Sequence, residues 1–229
     1  MKKIPLLELR TGTVKALNNQ GATSAIDKIP TTDRLNINLL GLAGDEQADQ
    51  QHHGGKDKAI HHYAAENYAY WREYFPEHKD LFSAGRFGEN FSTIGMTEQT
   101  VCVGDIYQAG SAILQISQAR QPCWKLNIVF QQHDMAKRVQ NSLRTGWYYR
   151  VLETGKIAAG DVFELLERPE PEWTLHRLLH IFYQTPLDAN SLTAITHLTT
   201  LSEGWKKIAA QRLFNHQVEH WTQRLEGPA

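Results

Sequence analysis

The chain has 229 residues, 41% hydrophobic and 21% charged, with a formal net charge of -1. Those proportions describe a folded globular chain with room for one sizeable domain and a smaller one, and exclude a disordered one. A near-neutral balance supplies no electrostatic drive for non-specific nucleic-acid binding, so no nucleic-acid partner is expected and any anion site must be a local cluster.

The opening MKKIPLLELRTG is too short and too charged for a signal peptide. No run approaches the roughly 18 apolar residues a membrane helix needs. A cytoplasmic protein without a membrane association is therefore expected. TGTVKAL (11–17) reads as a strand, and LNINLLGLAGDEQ (35–47) alternates before breaking at Gly41 and Gly44. DKAIHHYAAENYAYWREYF (57–75) reads as a helix: Ile60, Ala64, Tyr68, Trp71 and Phe75 share one helical face, with Asp57 as N-cap. TVCVGDIYQAGSAILQISQ (100–118) reads as two strands around turns, a helix is expected over 128–142, and KIAAGDVFELLER (156–168) repeats the strand pattern. Such spacing points to a β-barrel or heavily bent sheet.

ERPEPEW (167–173) has the composition of a linker. Beyond it the pattern is helical: TLHRLLHIFYQ, DANSLTAITHLTTL, and a long third helix over SEGWKKIAAQRLFNHQVEHWTQRL with Phe214, Val218, Trp221 and Leu225 on one face. A unit of about 55 residues is near the lower limit for independent stability, so it should dock on the sheet or on another subunit. A homodimer is the candidate assembly.

The chain has two cysteines. A cytosolic compartment argues against pairing them, and two thiols cannot hold an iron–sulfur cluster. Cys102, in the apolar run TVCVGD, reads as a small core hydrophobe. Cys123 differs: ARQPCWKLN sets it between Arg120 and Lys125, after Pro122. Nearby cations favour the thiolate, the form that ligates metals or attacks electrophiles. On the residues alone, a functional thiol and a structural cysteine beside a solvated basic face both remain open. QQHHGGKDKAIHHY (50–63) adds four histidines around Gly54-Gly55. These read as solvated surface groups or as an anion site, and a zinc site from His53, His61 and Cys123 has spacing that matches no zinc signature. RFGENF (86–91) reads as a β-turn presenting Asn90. In GWYYRVL (146–152), Arg150 either binds a phosphate or stacks on Tyr148.

Taken in order, GLAGDEQ, HHGGKDKAIHHY, FGENFS, VCVGDIYQAGSAILQISQARQPCWKLN and GWYYRVL resemble the MOSC domain (molybdenum cofactor sulfurase C-terminal domain) of the YiiM type. The resemblance covers 1–168, and the helices at 169–229 resemble the small three-helix domain that accompanies it. It implies a closed, mostly β fold and a pterin-based molybdenum cofactor whose metal is bound by Cys123. It also implies a small-molecule N-hydroxylated substrate, such as a hydroxylaminopurine-type base or a hydroxylamine. The N–O bond would be cleaved with two electrons and two protons. An external flavoprotein or iron–sulfur protein would bring the electrons. On this reading Arg120, Lys125, Asn127, His53, Gly54, Asn90 and Arg150 hold the cofactor. His62 and Asp45 stand beside Cys123 as catalytic residues, and His61 and Tyr63 lie on the substrate side. A carrier of cofactor or sulfur without turnover is the alternative. Pyridoxal phosphate is not expected.

Overall fold

The computed structural model describes residues 3–17, 21–48 and 54–228. Its strands are β1 (Lys3–Pro5), β2 (Glu8–Thr11), β3 (Lys15–Ala16), β4 (Thr23–Ser24), β5 (Ile29–Pro30), β6 (Leu35–Asn38), β7 (Gly41–Leu42), β8 (Ile60–Ala64), β9 (Phe91–Thr93), β10 (Ile106–Ala109), β11 (Ala112–Ala119), β12 (Trp147–Glu153), β13 (Gly155–Ile157) and β14 (Val162–Glu167). The helices are α1 (Glu66–Tyr74), α2 (Lys125–Val129), α3 (Met135–Ser142), α4 (Leu175–Tyr183), α5 (Ala189–Thr196), α6 (Glu203–Asn215) and α7 (Thr222–Glu226).

Nine strands form one sheet in the order β1-β14-β10-β11-β12-β8-β9-β2-β5. The sheet is strongly bent, and the run of chain carrying β1 and β2 pairs with β14 through β1 and with β9 through β2. There, Leu6 N–H donates to Asp161 O (2.8 Å) on one side and Leu7 N–H donates to Ser92 O (2.9 Å) on the other. The fold is thus mostly β, strongly bent, and followed by helices.

The centre of the sheet departs from the helix expected over 57–75. Ile60–Ala64 is β8, antiparallel to β12 and parallel to β9, and all five residues are buried. Only 66–74 is helical. A strand covered on both faces needs no polar alternation, and pairing on both sides overrides the weak helical period. Asp57 consequently caps nothing. It lies in a 3-10 turn, Lys56–Lys58, ahead of the strand. The helix expected over 128–142 is likewise two, α2 and α3, broken where Gln131 turns to a φ of 53°.

The helices after residue 173 dock on the sheet. Leu175, Leu178, Leu179, Phe182, Leu192, Ile195 and Trp205 share one apolar core with Leu114, Ile116, Tyr149 and Phe163. Ser202 N–H donates to Ser117 O (2.9 Å), and Arg150 Nη1 donates to Thr200 O (2.9 Å). The third helix is shorter than expected. It stops at Asn215, His216 is left-handed (φ 54°), and Phe214 is 85% exposed. Arg212, almost wholly buried, grips Glu219 with Nε (2.8 Å) and Nη2 (2.7 Å) and folds the chain back. A second core, of Tyr63, Trp71, Phe82, Phe87, Leu126 and Phe130, lies under α1 to α3 and includes Leu225 of α7.

Candidate active site

The sheet delivers a thiol to a cleft. β11 ends at Ala119, and the next residue, Arg120, is held by its N–H to Gly146 O (2.9 Å). The chain then leaves the sheet through Pro122 and Cys123 and enters α2. Cys123 lines a cleft together with Lys28, Asp45, Lys58, His61, Gly88, Asn90, Arg120, Lys125 and Tyr148.

Strand pairing sets one wall. His61 stands opposite Tyr148 in the β8–β12 register, and their rings are 5.0 Å apart. Asn90 ties this wall to the next: its Oδ1 accepts His61 N–H (3.0 Å), and its Nδ2 donates to Arg10 O (3.1 Å) and Asp45 Oδ2 (2.9 Å). Asp45 Oδ1 accepts Gly12 N–H (2.8 Å) and pairs with Lys28 Nζ, the two side chains being 4% and 7% exposed. The GDEQ and GEN segments are therefore one hydrogen-bonded corner. Lys125 Nζ reaches Thr23 O (2.8 Å), holding the rim of the cleft.

Among the described residues that line the cleft, four are cations (Lys28, Lys58, Arg120 and Lys125) and two are carboxylates (Asp45 and Glu46). Burial, and after it the charge of Arg120, drives the His61 pKa well below its usual value, so the ring is neutral. Burial pushes the Tyr148 pKa up and the neighbouring Arg120 charge pulls against it, while Arg120 Nη1 has no partner. His61 Nε2 is also unpartnered. Buried polar atoms are normally satisfied, so two orphans in one cleft wall mark a place where a ligand completes the bonding. A thiol, more cations than carboxylates among the described lining residues, and an unpartnered guanidinium N–H fit an anionic group held through sulfur.

Other candidates lie elsewhere. His62, wholly buried, faces the sheet interior, its Nδ1 3.0 Å from Tyr149 Oη and its Nε2 2.9 Å from Thr93 Oγ1. Consecutive strand residues point to opposite faces, so His61 and His62 cannot share the cleft. Tyr63 is buried in the second core, accepting from Trp71 Nε1 (2.7 Å) and donating to Arg144 O (3.2 Å). Asn127 bonds Leu225 O (2.8 Å) and Ala136 N–H (2.8 Å). Arg150 pairs with Asp57 (2.8 Å) on the side where the helices dock, so it holds that interface and neither lines the cleft nor stacks on Tyr148. Gly54 is half-buried and precedes the turn that brings Lys58 to the cleft. His53, with His52, lies outside the described residues, among which no cluster of three metal-ligating side chains occurs. The cleft also uses Lys28, Lys58 and Tyr148, which the sequence did not single out. A lysine in AIDKIP carries no local signal, because its partner is 17 residues away.

Residues 49–164 match the MOSC domain, and residues 173–216 match the YiiM-like, 3-alpha helix domain. The chain is 39% identical over 221 residues to Protein YiiM of Escherichia coli (strain K12), covering 96% of this chain and 98% of that protein. It is 37% identical over 211 residues to a protein of Gibberella moniliformis named Reductase, covering 91% of this chain and 37% of that longer protein. The crystal structure of YiiM from Escherichia coli superposes with a TM-score of 0.85 at 34% identity, covering 99% of this chain and 100% of that one.

Proposed function

Since the chain belongs to the MOSC domain family and carries a YiiM-like three-helix domain, we propose that it is a molybdenum-cofactor-dependent reductase of N-hydroxylated compounds. The observation that carries the reading is the juxtaposition, in one cleft, of the Cys123 thiol with Arg120, whose Nη1 is unpartnered, and His61, whose Nε2 is unpartnered. The reductase name of the longer fungal relative supports the reaction class.

Cys123 would hold the metal, a soft thiolate suiting such a centre. Arg120, Lys28 and Lys125 would hold the cofactor's phosphate and pterin edge, guanidinium groups being matched to phosphate oxygens. When bound, the cofactor supplies the two-electron change that N–O cleavage requires. The balance is R–NHOH plus two electrons and two protons to R–NH2 and water. The protein's part is placement. His61, held neutral by burial, would accept with its unpartnered Nε2 from the hydroxyl or N–H of the substrate. The Asp45 carboxylate is committed to Lys28, Gly12 and Asn90, so its role is to fix Lys28 and not to pass protons. The electrons come from an external flavoprotein or iron–sulfur protein.

The test is molybdenum and pterin content of protein purified from a host that makes the cofactor, wild type beside Cys123→Ala. Near-stoichiometric molybdenum lost in the variant, followed by reduction of a hydroxylaminopurine by the wild type with a reduced dye, is the expected result. Wild-type protein free of molybdenum and pterin, while a control enzyme from the same host is loaded, overturns the reading. Loading without reduction leaves a carrier.

A further inference from the structure

Cys123 is held from outside the sheet. The carbonyl before it and the amide after it are both bonded by one residue of the C-terminal segment. Arg224 Nη1 donates to Pro122 O (2.6 Å), and Arg224 O accepts Trp124 N–H (2.8 Å). One turn further on, Asn127 Nδ2 donates to Leu225 O (2.8 Å). Gly227 closes the contact, since a Cβ there would stand 3.2 Å from the Trp124 ring.

The clasp is itself braced. Arg224 Nη2 donates to Gln140 Oε1 (2.6 Å) on α3, and its guanidinium lies over the Tyr183 ring of α4 at 6.0 Å. Leu225 is buried in the second core. Upstream, Glu219 is gripped by Arg212 and accepts Trp221 Nε1 (2.9 Å). None of these residues lines the cleft. Glu219, Trp221, Arg224, Leu225 and Gly227 lie beyond the 173–216 match to the helical domain.

We infer that Arg224 is a positioning residue for the Cys123 thiol, and that the C-terminal segment fixes where that thiol stands in the cleft. A thiol on a short loop has no strand or long helix to orient it. Bonds to the flanking peptide groups, one of them charge-assisted, supply that rigidity. The inference rests on the proposed function only where it bears on turnover; the clasp around residues 122–124 does not.

The test reads the thiol directly, in protein free of cofactor. Alkylation of Cys123 by iodoacetamide is followed by peptide mass analysis, which separates it from Cys102, only 1% exposed. Arg224→Ala is expected to raise the Cys123 rate about tenfold, as loss of a charged bond lets the loop open locally. Arg224→Lys, which keeps one donor, should fall between. The control is Thr174→Ala, which removes the cap of α4 (Arg177 N–H to Thr174 Oγ1, 3.1 Å) and lowers global stability away from the clasp. Its Cys123 rate should match wild type. An unchanged rate in Arg224→Ala, or an equal rise in Thr174→Ala, overturns the inference. If Arg224→Ala does not fold, Gln140→Ala, which removes only the brace, carries the same comparison with a smaller rise. In loaded enzyme, Arg224→Ala should lower kcat per molybdenum with KM unchanged. Absence of molybdenum from the wild type would sink the proposed function and leave the alkylation result standing.

Discussion

His61 and His62 are consecutive in one strand and serve opposite faces of it: the His61 ring lies 5.0 Å from Tyr148 in the cleft, and the His62 ring stacks 4.4 Å from Trp147 inside the sheet. The pair should therefore separate by experiment. His62→Ala deletes a buried ring and two hydrogen bonds, which costs about 2–4 kcal/mol, and should leave turnover per bound molybdenum near wild type. His61→Ala should cost less stability and more turnover. Denaturant unfolding beside molybdenum-normalised rates checks both. A variant of His62 that folds well but is inactive would place it in the chemistry.

The same pair sets a pH dependence. Burial lowers the His62 pKa to about 3 and holds that of His61 well below 6.5. Both rings are neutral in the native state and protonate in the unfolded chain. Their contribution is fully present above about 6.5 and is lost as pH falls below it, for His62 at roughly 1.4 kcal/mol per unit down to about 3 and for His61 in the same direction. Between pH 6.5 and 5, the unfolding free energy of wild type should drop about 2 kcal/mol further than that of His62→Gln. Parallel pH profiles for the two proteins would contradict the assignment.

The Lys28–Asp45 pair makes a third case. Both side chains are almost fully buried. Lys28→Met leaves a buried carboxylate without its cation, a loss of about 3–5 kcal/mol. Adding Asp45→Asn removes the stranded charge while keeping an acceptor for Gly12 N–H, so the double variant should be more stable than Lys28→Met. A double-mutant cycle by chemical denaturation measures this. Additive losses would show that the two groups do not depend on each other.

Gly146 joins these features through the backbone. It has a φ of 73°, and a Cβ there would lie 2.5 Å from His62 O and 2.9 Å from His61 Nε2. Gly160 has a similar φ of 86° with nothing within 4 Å. Gly160→Ala should cost about 1–2 kcal/mol for the left-handed backbone alone. Gly146→Ala should cost clearly more and also disturb His61, read as a larger fall in Tm together with a raised KM.

The chemistry of the cleft was legible because it is carried by residue types in short segments. ARQPCWKLN sets a thiol between cations, and GDEQ and GEN supply Asp45 and Asn90. The order of these segments identified the family. The helical character after residue 173 was also written locally, in apolar spacing and in a proline-rich break. These signals need only neighbours in the chain.

Tertiary structure decided what depends on pairing. Which histidine of IHHY meets the cleft follows from the parity of β8 against the sheet, and the histidine spacing is identical for either choice. The helical period over 57–75 yields to a strand because two neighbours complete its backbone bonds. Arg150 belongs to the helical interface because Asp57 and Thr200 meet it there, 93 and 50 residues away. Arg224 meets Pro122 across 102 residues, which no local pattern announces. Residue chemistry is a property of the chain. Facing, partnering and clasping are set by contacts that exist only once the sheet has curled and the last helix has folded back.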